Sequence, residues 1–272
     1  EYTLTGACGG GVMLAYPKNR EPIIFDFFVH TPKNNLVDNL DFFRTTVDFG
    51  SASQFFHIGK GSVAVPGNTL GLLHIHSRLG TLPLSRILEP AIQTAKFGAL
   101  INKAHEYLFT ILDPILSHTK NGEILFKPDG KIIKAGERFK NPDFADYLEQ
   151  IIIEGSNYLY HGNLTEIINS FMEDGGLLTK EDFSNYEVIE RTPLKIDFYG
   201  KTIITNPIPS LGGTLIAFVL KIMSQKFPGK KIDNRLLTLG MRLAQIARSE
   251  VISANNRPGS LAKILSPSYF NR

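Results

Sequence analysis

The sequence has no tryptophan and a single cysteine, Cys8, in 272 residues. One cysteine excludes an intrachain disulfide, and no Cys/His cluster has structural-zinc spacing, so no metal is expected. No apolar run reaches the ~18 residues needed to span a bilayer as a helix. An excess of one charge is lacking too: 29 Lys and Arg stand against 26 Asp and Glu, a formal net charge of +3. The lysines are scattered apart from the short cluster around Lys226, Lys230 and Lys231. That cluster reads as a solvated loop, and nucleic acid is not expected as a partner. Also missing are G-x-x-x-x-G-K-[ST], G-x-G-x-x-G, G-x-S-x-G and H-E-x-x-H. Nucleotide-loop, dinucleotide, esterase and zinc-protease chemistries therefore have no signal, and no cofactor is expected. The opening residues, EYTLTG, do not read as a natural N-terminus, so the lack of a signal peptide excludes no compartment.

What is present is an ordinary soluble composition, 43% hydrophobic, with enough length to bury a sizeable core. Val12–Tyr16 and Ile23–Phe27 read as two strands joined by a Pro-Lys-Asn-Arg turn. Gly61–Pro66 reads as another short strand closed by proline. The middle turns helical: Leu84, Ile87, Leu88, Ala91, Ile92 and Ala95 form a core-facing stripe, within which Pro90 is expected to start a second segment. Asn141-Pro142-Asp143 has the form of a helix start, a capping asparagine before a proline at the first position. It leads the stripe Phe144, Leu148, Ile151 and Ile152. Leu164 to Met172 is similar and stops at Gly175-Gly176. Strands return at Leu194–Phe198 and Thr202–Thr205 around a Tyr199-Gly200 turn, and helices follow over 211–227 and 234–254. No internal repeat or low-complexity linker marks a boundary, so residues 1–272 read as one α+β domain. Val12–Tyr16, Ile23–Phe27 and Thr202–Thr205 are expected in one sheet covered by helices from the middle of the chain.

Few residues offer chemistry by themselves. Gly9-Gly10-Gly11 precedes a strand, not the helix that an anion site needs, so close backbone packing is the better reading. Cys8 beside it reads as a small buried thiol, because no histidine is fixed near it in sequence. His74 and His76 form an H-x-H pair on a stretch that reads as a helix ending at Gly80. Positions two apart on a helix do not face each other, which argues against a shared metal. Two loops are unusual. FDFFVHTP (Phe25–Pro32) ends the second strand with two phenylalanines, a histidine and a proline stop. NPIPSLGG (Asn206–Gly213) has two prolines, a serine and two glycines before a helix. It reads either as a turn with an N-cap or as a helix N-terminus offering N–H groups and Ser210 to a carboxylate or an oxyanion.

Several stretches, in order, resemble one family, the γ-glutamyltranspeptidases, which are N-terminal-nucleophile hydrolases. GACGGGVMLAY is similar to the family's glycine-rich first strand, and GSVAVPGNTLGLLHIHSRLGTLPLSRILEPAI to its S-V-A-V-P-G, G-T-L-P and E-P-A-I segments. NPDFADYLEQIIIEGSNYLYHG resembles NP-x-LA-x-TL…G…FY-x-G. GGLLTKEDFSNYEVIERTPLKIDFYG resembles GG-x-LT-x-EDL-x-x-Y, and NPIPSLGG the PPPSSGG loop. The resemblance runs from Thr5 to about Tyr269.

The resemblance implies an αββα four-layer sandwich, incomplete without a second, small subunit made from the same precursor. In the family the precursor cleaves itself before a threonine, and the freed threonine is both nucleophile and, through its α-amine, base. The family's T-T-H stretch is absent, so no catalytic residue is expected here. This chain resembles the large subunit, and the small subunit would carry the threonine, the oxyanion glycines and the serines that bind the glutamyl α-carboxylate. The substrate so implied is a small γ-glutamyl or related amide, as in glutathione metabolism. The substrate-binding residues so implied are Phe28, His30, Ser210, Gly212 and Gly213. The family's D-F-R-E-T-A-P loop clamps that carboxylate with its arginine, for which a guanidinium fork is the natural partner. Here Phe28 stands at the arginine position and Val29 at the glutamate position. Ile208 and Leu211 also depart from PPPSSGG. The alternative is a non-catalytic relative that keeps the fold for binding or assembly. The family points to a periplasmic or extracellular setting and leaves a cytoplasmic one open.

Overall fold

A computed structural model of the chain describes residues 5–34, 38–229, 232–253 and 264–266. From the N-terminus come strands β1 (Gly11–Ala15), β2 (Ile23–Phe27), β3 (Phe43–Asp48) and β4 (Ser53–Ile58), then helices α1 (Asn68–Leu79) and α2 (Leu84–Phe97). A short strand β5 (Ala99–Leu100) leads to α3 (Lys103–Ile111), α4 (Asp113–Leu116), α5 (Lys120–Phe126), β6 (Arg138–Phe139) and α6 (Pro142–Glu154). Helices α7 (Asn157–Tyr160), α8 (Asn163–Met172) and α9 (Lys180–Ser184) follow. Strands β7 (Ile189–Arg191), β8 (Leu194–Phe198) and β9 (Lys201–Thr205) precede helices α10 (Leu211–Lys226) and α11 (Asn234–Ser253). The class is α+β. The chain divides into two compact units, one holding the residues up to Gly11 and Phe27–Val188, the other Val12–Asp26 and the chain from Ile189 on.

The larger unit is mostly helical. Helices α2 and α6 bury Ile92 and Ala95 against Ala145 and Leu148, and an ion pair of 2.5 Å joins Lys96 to Glu149. Asn141 caps α6 as its sequence implies, its side chain accepting from the Phe144 N–H at 3.0 Å. Pro90 does not divide α2, which runs unbroken through it. Pro90 cannot donate to the Arg86 carbonyl, but both residues are exposed, so the carbonyl stays open to solvent and the helix need not break. A second core gathers Val65, Leu159, Tyr160, Met172, Leu178, Phe183 and Tyr186. Gly61–Pro66 is not a strand: Lys60–Ser62 is a 3-10 turn, and only Val65 pairs, in an isolated bridge with His30. Consecutive residues there serve a turn and then a bridge, so the apolar run reflects burial, not a ladder.

In the smaller unit β2 lies between β1 and β7 in a three-stranded sheet. Strands β8 and β9 form a separate ladder, Leu194 opposite Thr205 and Phe198 opposite Lys201. Thr202–Thr205 is therefore a strand, but not in the sheet of β1 and β2. Tyr199 and Gly200, at φ of 51° and 76°, make the tight turn whose twist suits a two-residue hairpin, so β9 pairs with its sequence neighbour. Helix α10 packs on this ladder, and its Phe218, Ile222 and Met223 meet Ala244 and Ala247 of α11.

Candidate functional site

Strand β2 ends in a charged pair and a buried ring. Asp26 accepts from Arg191 Nε at 2.7 Å, both side chains being largely shielded, and the next ring, Phe27, is buried. The chain then loops out, and Phe28 is 60% exposed. Its carbonyl accepts from the Tyr186 hydroxyl at 2.9 Å. His30, also exposed, exchanges two backbone bonds with Val65, at 3.2 and 2.8 Å, and its ring lies 4.8 Å from that of Tyr186. Pro32 is buried. The Lys33 N–H donates to Asp182 Oδ1 at 2.9 Å. Lys33 Nζ also pairs with Glu181 at 2.6 Å, a bond that raises the lysine pKa and lowers that of the carboxyl. Both ends of that pair are exposed, so it adds little to stability.

The glycine-rich segments exist to let this loop sit down. A Cβ at Gly10 would lie 2.5 Å from the Val29 nitrogen, and one at Gly67 would lie 1.9 Å from the Phe27 carbonyl oxygen and 2.3 Å from the Tyr186 hydroxyl. All three contacts are shorter than side-chain carbons tolerate, so close backbone packing, not anion binding, accounts for Gly10.

The second loop is built differently. Its Ile208–Pro209 peptide is cis, and Ser210 N–H donates to the Pro207 carbonyl at 3.0 Å. Ser210 is the N-cap residue of α10, but its side chain makes no capping bond. Its carbonyl instead accepts from the Thr214 hydroxyl at 3.0 Å. Gly213 is buried against Asn206, whose carbonyl oxygen a Cβ would approach to 2.3 Å, whereas a Cβ at Gly212 would meet nothing within 4 Å. One glycine is thus required by packing and the other opens the first turn of the helix.

The remaining candidates carry less. His74 and His76 lie on α1, and His76 Nε2 bonds the Leu82 carbonyl at 2.8 Å. Among the described residues no three His, Cys, Asp or Glu side chains group to hold a metal ion. Cys8 is exposed, contrary to the buried thiol expected. It stands in the wall of a cavity of about 870 Å³ shared with Ile124, Leu125, Lys140, Tyr147 and Leu164. It is exposed because the mouth is open, yet the surrounding wall desolvates the thiol and pushes its pKa up. That direction is opposite to the one a nucleophile needs. Tyr147, hydrogen-bonded to Thr69 at 2.6 Å, is pushed up to about 12 by desolvation.

Two residues of the Phe28 loop's support were not singled out from sequence. Asp182 had a signal, since Thr179-x-x-Asp182 has the form of a capping box, and both halves of that box are formed. Tyr186 stands at the closing tyrosine of the GG-x-LT-x-EDL-x-x-Y resemblance, but nothing local points to its partner, which lies 158 positions away.

A protein-family model described as Gamma-glutamyltranspeptidase matches residues 1–272. The glutathione hydrolase proenzyme of Escherichia coli (strain K12) is 31% identical over 225 residues, 82% of this chain and 38% of that protein. The capsule biosynthesis protein CapD proenzyme of Bacillus anthracis is 28% identical over 271 residues, 100% of this chain and 44% of that protein. In solved form, γ-glutamyltranspeptidase from Pseudomonas nitroreducens, complexed with L-DON, superposes with a TM-score of 0.76 at 27% identity. That match covers 97% of this chain and 79% of that one. The chain therefore spans less than half the length of the E. coli and B. anthracis proteins, while sharing the α+β fold of the solved one. Matched by the family model from its first residue to its last, the chain belongs to the γ-glutamyltranspeptidase family.

Proposed function

We propose that residues 1–272 form a single-domain, large-subunit portion of an acyl-transferring amide hydrolase. Its nucleophile is an N-terminal threonine on a small subunit released from the same precursor. The observation that carries this reading is the family match over the whole chain joined to the absence of any T-T-H stretch within it. The names of the E. coli and B. anthracis relatives, both proenzymes, support processing. So does the contrast in coverage: 79% of the solved Pseudomonas nitroreducens chain against 38% of the E. coli proenzyme.

Surface chemistry in the smaller unit supports a missing partner. Along α11, Leu236, Gly240, Leu243, Ala244 and Ala247 form the inward stripe. Leu237 and Met241 on one flank are 45% and 59% exposed, and Leu239 and Ile246 on the other are 42% and 55% exposed. An amphipathic helix facing water on both flanks carries polar side chains there, so these flanks suit a covering chain.

In this reading Phe28, His30, Ser210, Gly212 and Gly213 bind the acyl group. A phenyl ring cannot donate to a carboxylate, so Phe28 selects an acyl group less polar than glutamyl there, or leaves the carboxylate to another donor such as the His30 ring. Restoring the fork by Phe28→Arg adds a charge-assisted bidentate contact worth about 2–5 kcal/mol, or roughly 30-fold or more in affinity. Kinetics on the full-length, processed protein with a chromogenic γ-glutamyl amide test this. Phe28→Arg should lower KM, and equal or poorer efficiency in a folded variant would remove Phe28 from the pocket. A full-length protein that cleaves no amide would favour the non-catalytic alternative.

A further inference from the structure

Three anchors hold the Phe28–Lys33 loop. Val65 bonds His30 through backbone alone, a contact any residue type supplies. Asp182 accepts from the Lys33 N–H, but its other oxygen takes the Thr179 N–H and hydroxyl, each at 2.8 Å. Capping of α9 therefore already accounts for an aspartate there. Tyr186 is different. It lies beyond the end of α9, its ring is buried at 5% exposure, and its hydroxyl reaches the Phe28 carbonyl at 2.9 Å. A phenylalanine would fill the same space, and a buried phenol hydroxyl requires a partner. Gly67 leaves room for this bond: a Cβ there would lie 2.3 Å from the Tyr186 hydroxyl, besides 1.9 Å from the Phe27 carbonyl oxygen. The same ring supports His30 at 4.8 Å and is backed by the Tyr160 ring at 5.8 Å.

We propose that Tyr186 is a positioning residue for acyl-group binding. Its hydroxyl fixes the Phe28 carbonyl and its ring seats His30, so that the exposed Phe28 ring faces the bound acyl group in one direction. This rests on the reading of Phe28 as pocket wall. Tyr186 does not touch the reacting atoms, so its loss affects binding and leaves the chemical step alone.

The test is Tyr186→Phe in the full-length protein, which keeps the ring and removes the hydroxyl. Two readouts are needed: amide hydrogen exchange at His30, whose N–H is held by Val65, and KM and kcat for the best acyl donor. One neutral hydrogen bond corresponds to a rise in KM of about 3- to 10-fold, with kcat within about 2-fold, and a comparable rise in exchange. Unchanged exchange overturns the proposal, whatever the activity. Faster exchange with unchanged KM also overturns it, because the loop would then not line the pocket. If the wild-type protein cleaves no amide, the functional reading fails on its own, and exchange at His30 still decides whether Tyr186 positions the loop.

Discussion

Gly212 and Gly213 are adjacent, chemically identical and open the same helix, yet alanine should act on them in opposite directions. At Gly213 the added carbon would stand 2.3 Å from the Asn206 carbonyl oxygen and 2.9 Å from both its nitrogen and its Cβ. Reaching even 3.0 Å from that oxygen requires the start of α10 to move by about 0.7 Å, and two of the three opposing atoms are backbone that cannot rotate away. Overpacking of this kind costs about 2 kcal/mol, or roughly 4–8 °C in Tm for a domain of this size. At Gly212 the added carbon meets nothing within 4 Å. Alanine there restricts the unfolded chain and should stabilise by about 0.4–1 kcal/mol. Thermal unfolding of the full-length protein followed by far-UV circular dichroism reads both. Equal losses at the two positions, or a loss at Gly212 with none at Gly213, would refute this account of how the loop is packed.

Asn141→Ala removes the cap of α6 and should cost about 1 kcal/mol, lowering Tm by roughly 2–4 °C, with Asn141→Asp recovering most of the loss. An unchanged Tm would mean the bond to Phe144 contributes nothing. Tyr147 gives a pH prediction. Its phenol is kept neutral by desolvation, with a pKa of about 12 against 10.0 in the unfolded chain. Above pH 10 the unfolded chain loses this proton first and binds fewer protons than the folded state. Stability therefore falls between about pH 10 and 12. Tyr147→Phe should make the fall in the urea midpoint across that window shallower, with Tyr160, whose phenol pKa burial also raises, keeping part of it, and an unaltered slope would contradict the assignment.

The sequence disclosed elements whose cause is local. Asn141-Pro142 marks the start of α6, the Tyr199-Gly200 turn marks the β8–β9 hairpin, and α1 stops at Gly80. Local reasoning failed where pairing is decided at a distance. Strand β7 is three residues long, yet it is the partner of β2, with Ile24 opposite Arg191. That role belongs to neither segment alone. The β3–β4 ribbon carries no clear alternation in sequence, because both strands hold exposed apolar residues, Phe43 at 38% and Phe55 at 55%. Its turn was nevertheless marked by Asp48, which accepts from the Gly50 N–H at 2.8 Å, and by Gly50 at φ 85°. In the candidate site, motif order identified the two loops. The packing of Gly10, Gly67 and Tyr186 around Phe28 needed coordinates.

We propose that this chain works with a threonine on a partner cut from its own precursor. Intact-mass analysis and N-terminal sequencing of the full-length protein, before and after brief exposure to an acyl donor, address it directly. Two chains are expected, the smaller beginning with threonine and gaining the mass of one acyl group on that residue. A single uncleaved chain, or a cleaved pair whose threonine stays unmodified while the donor is consumed, would contradict it.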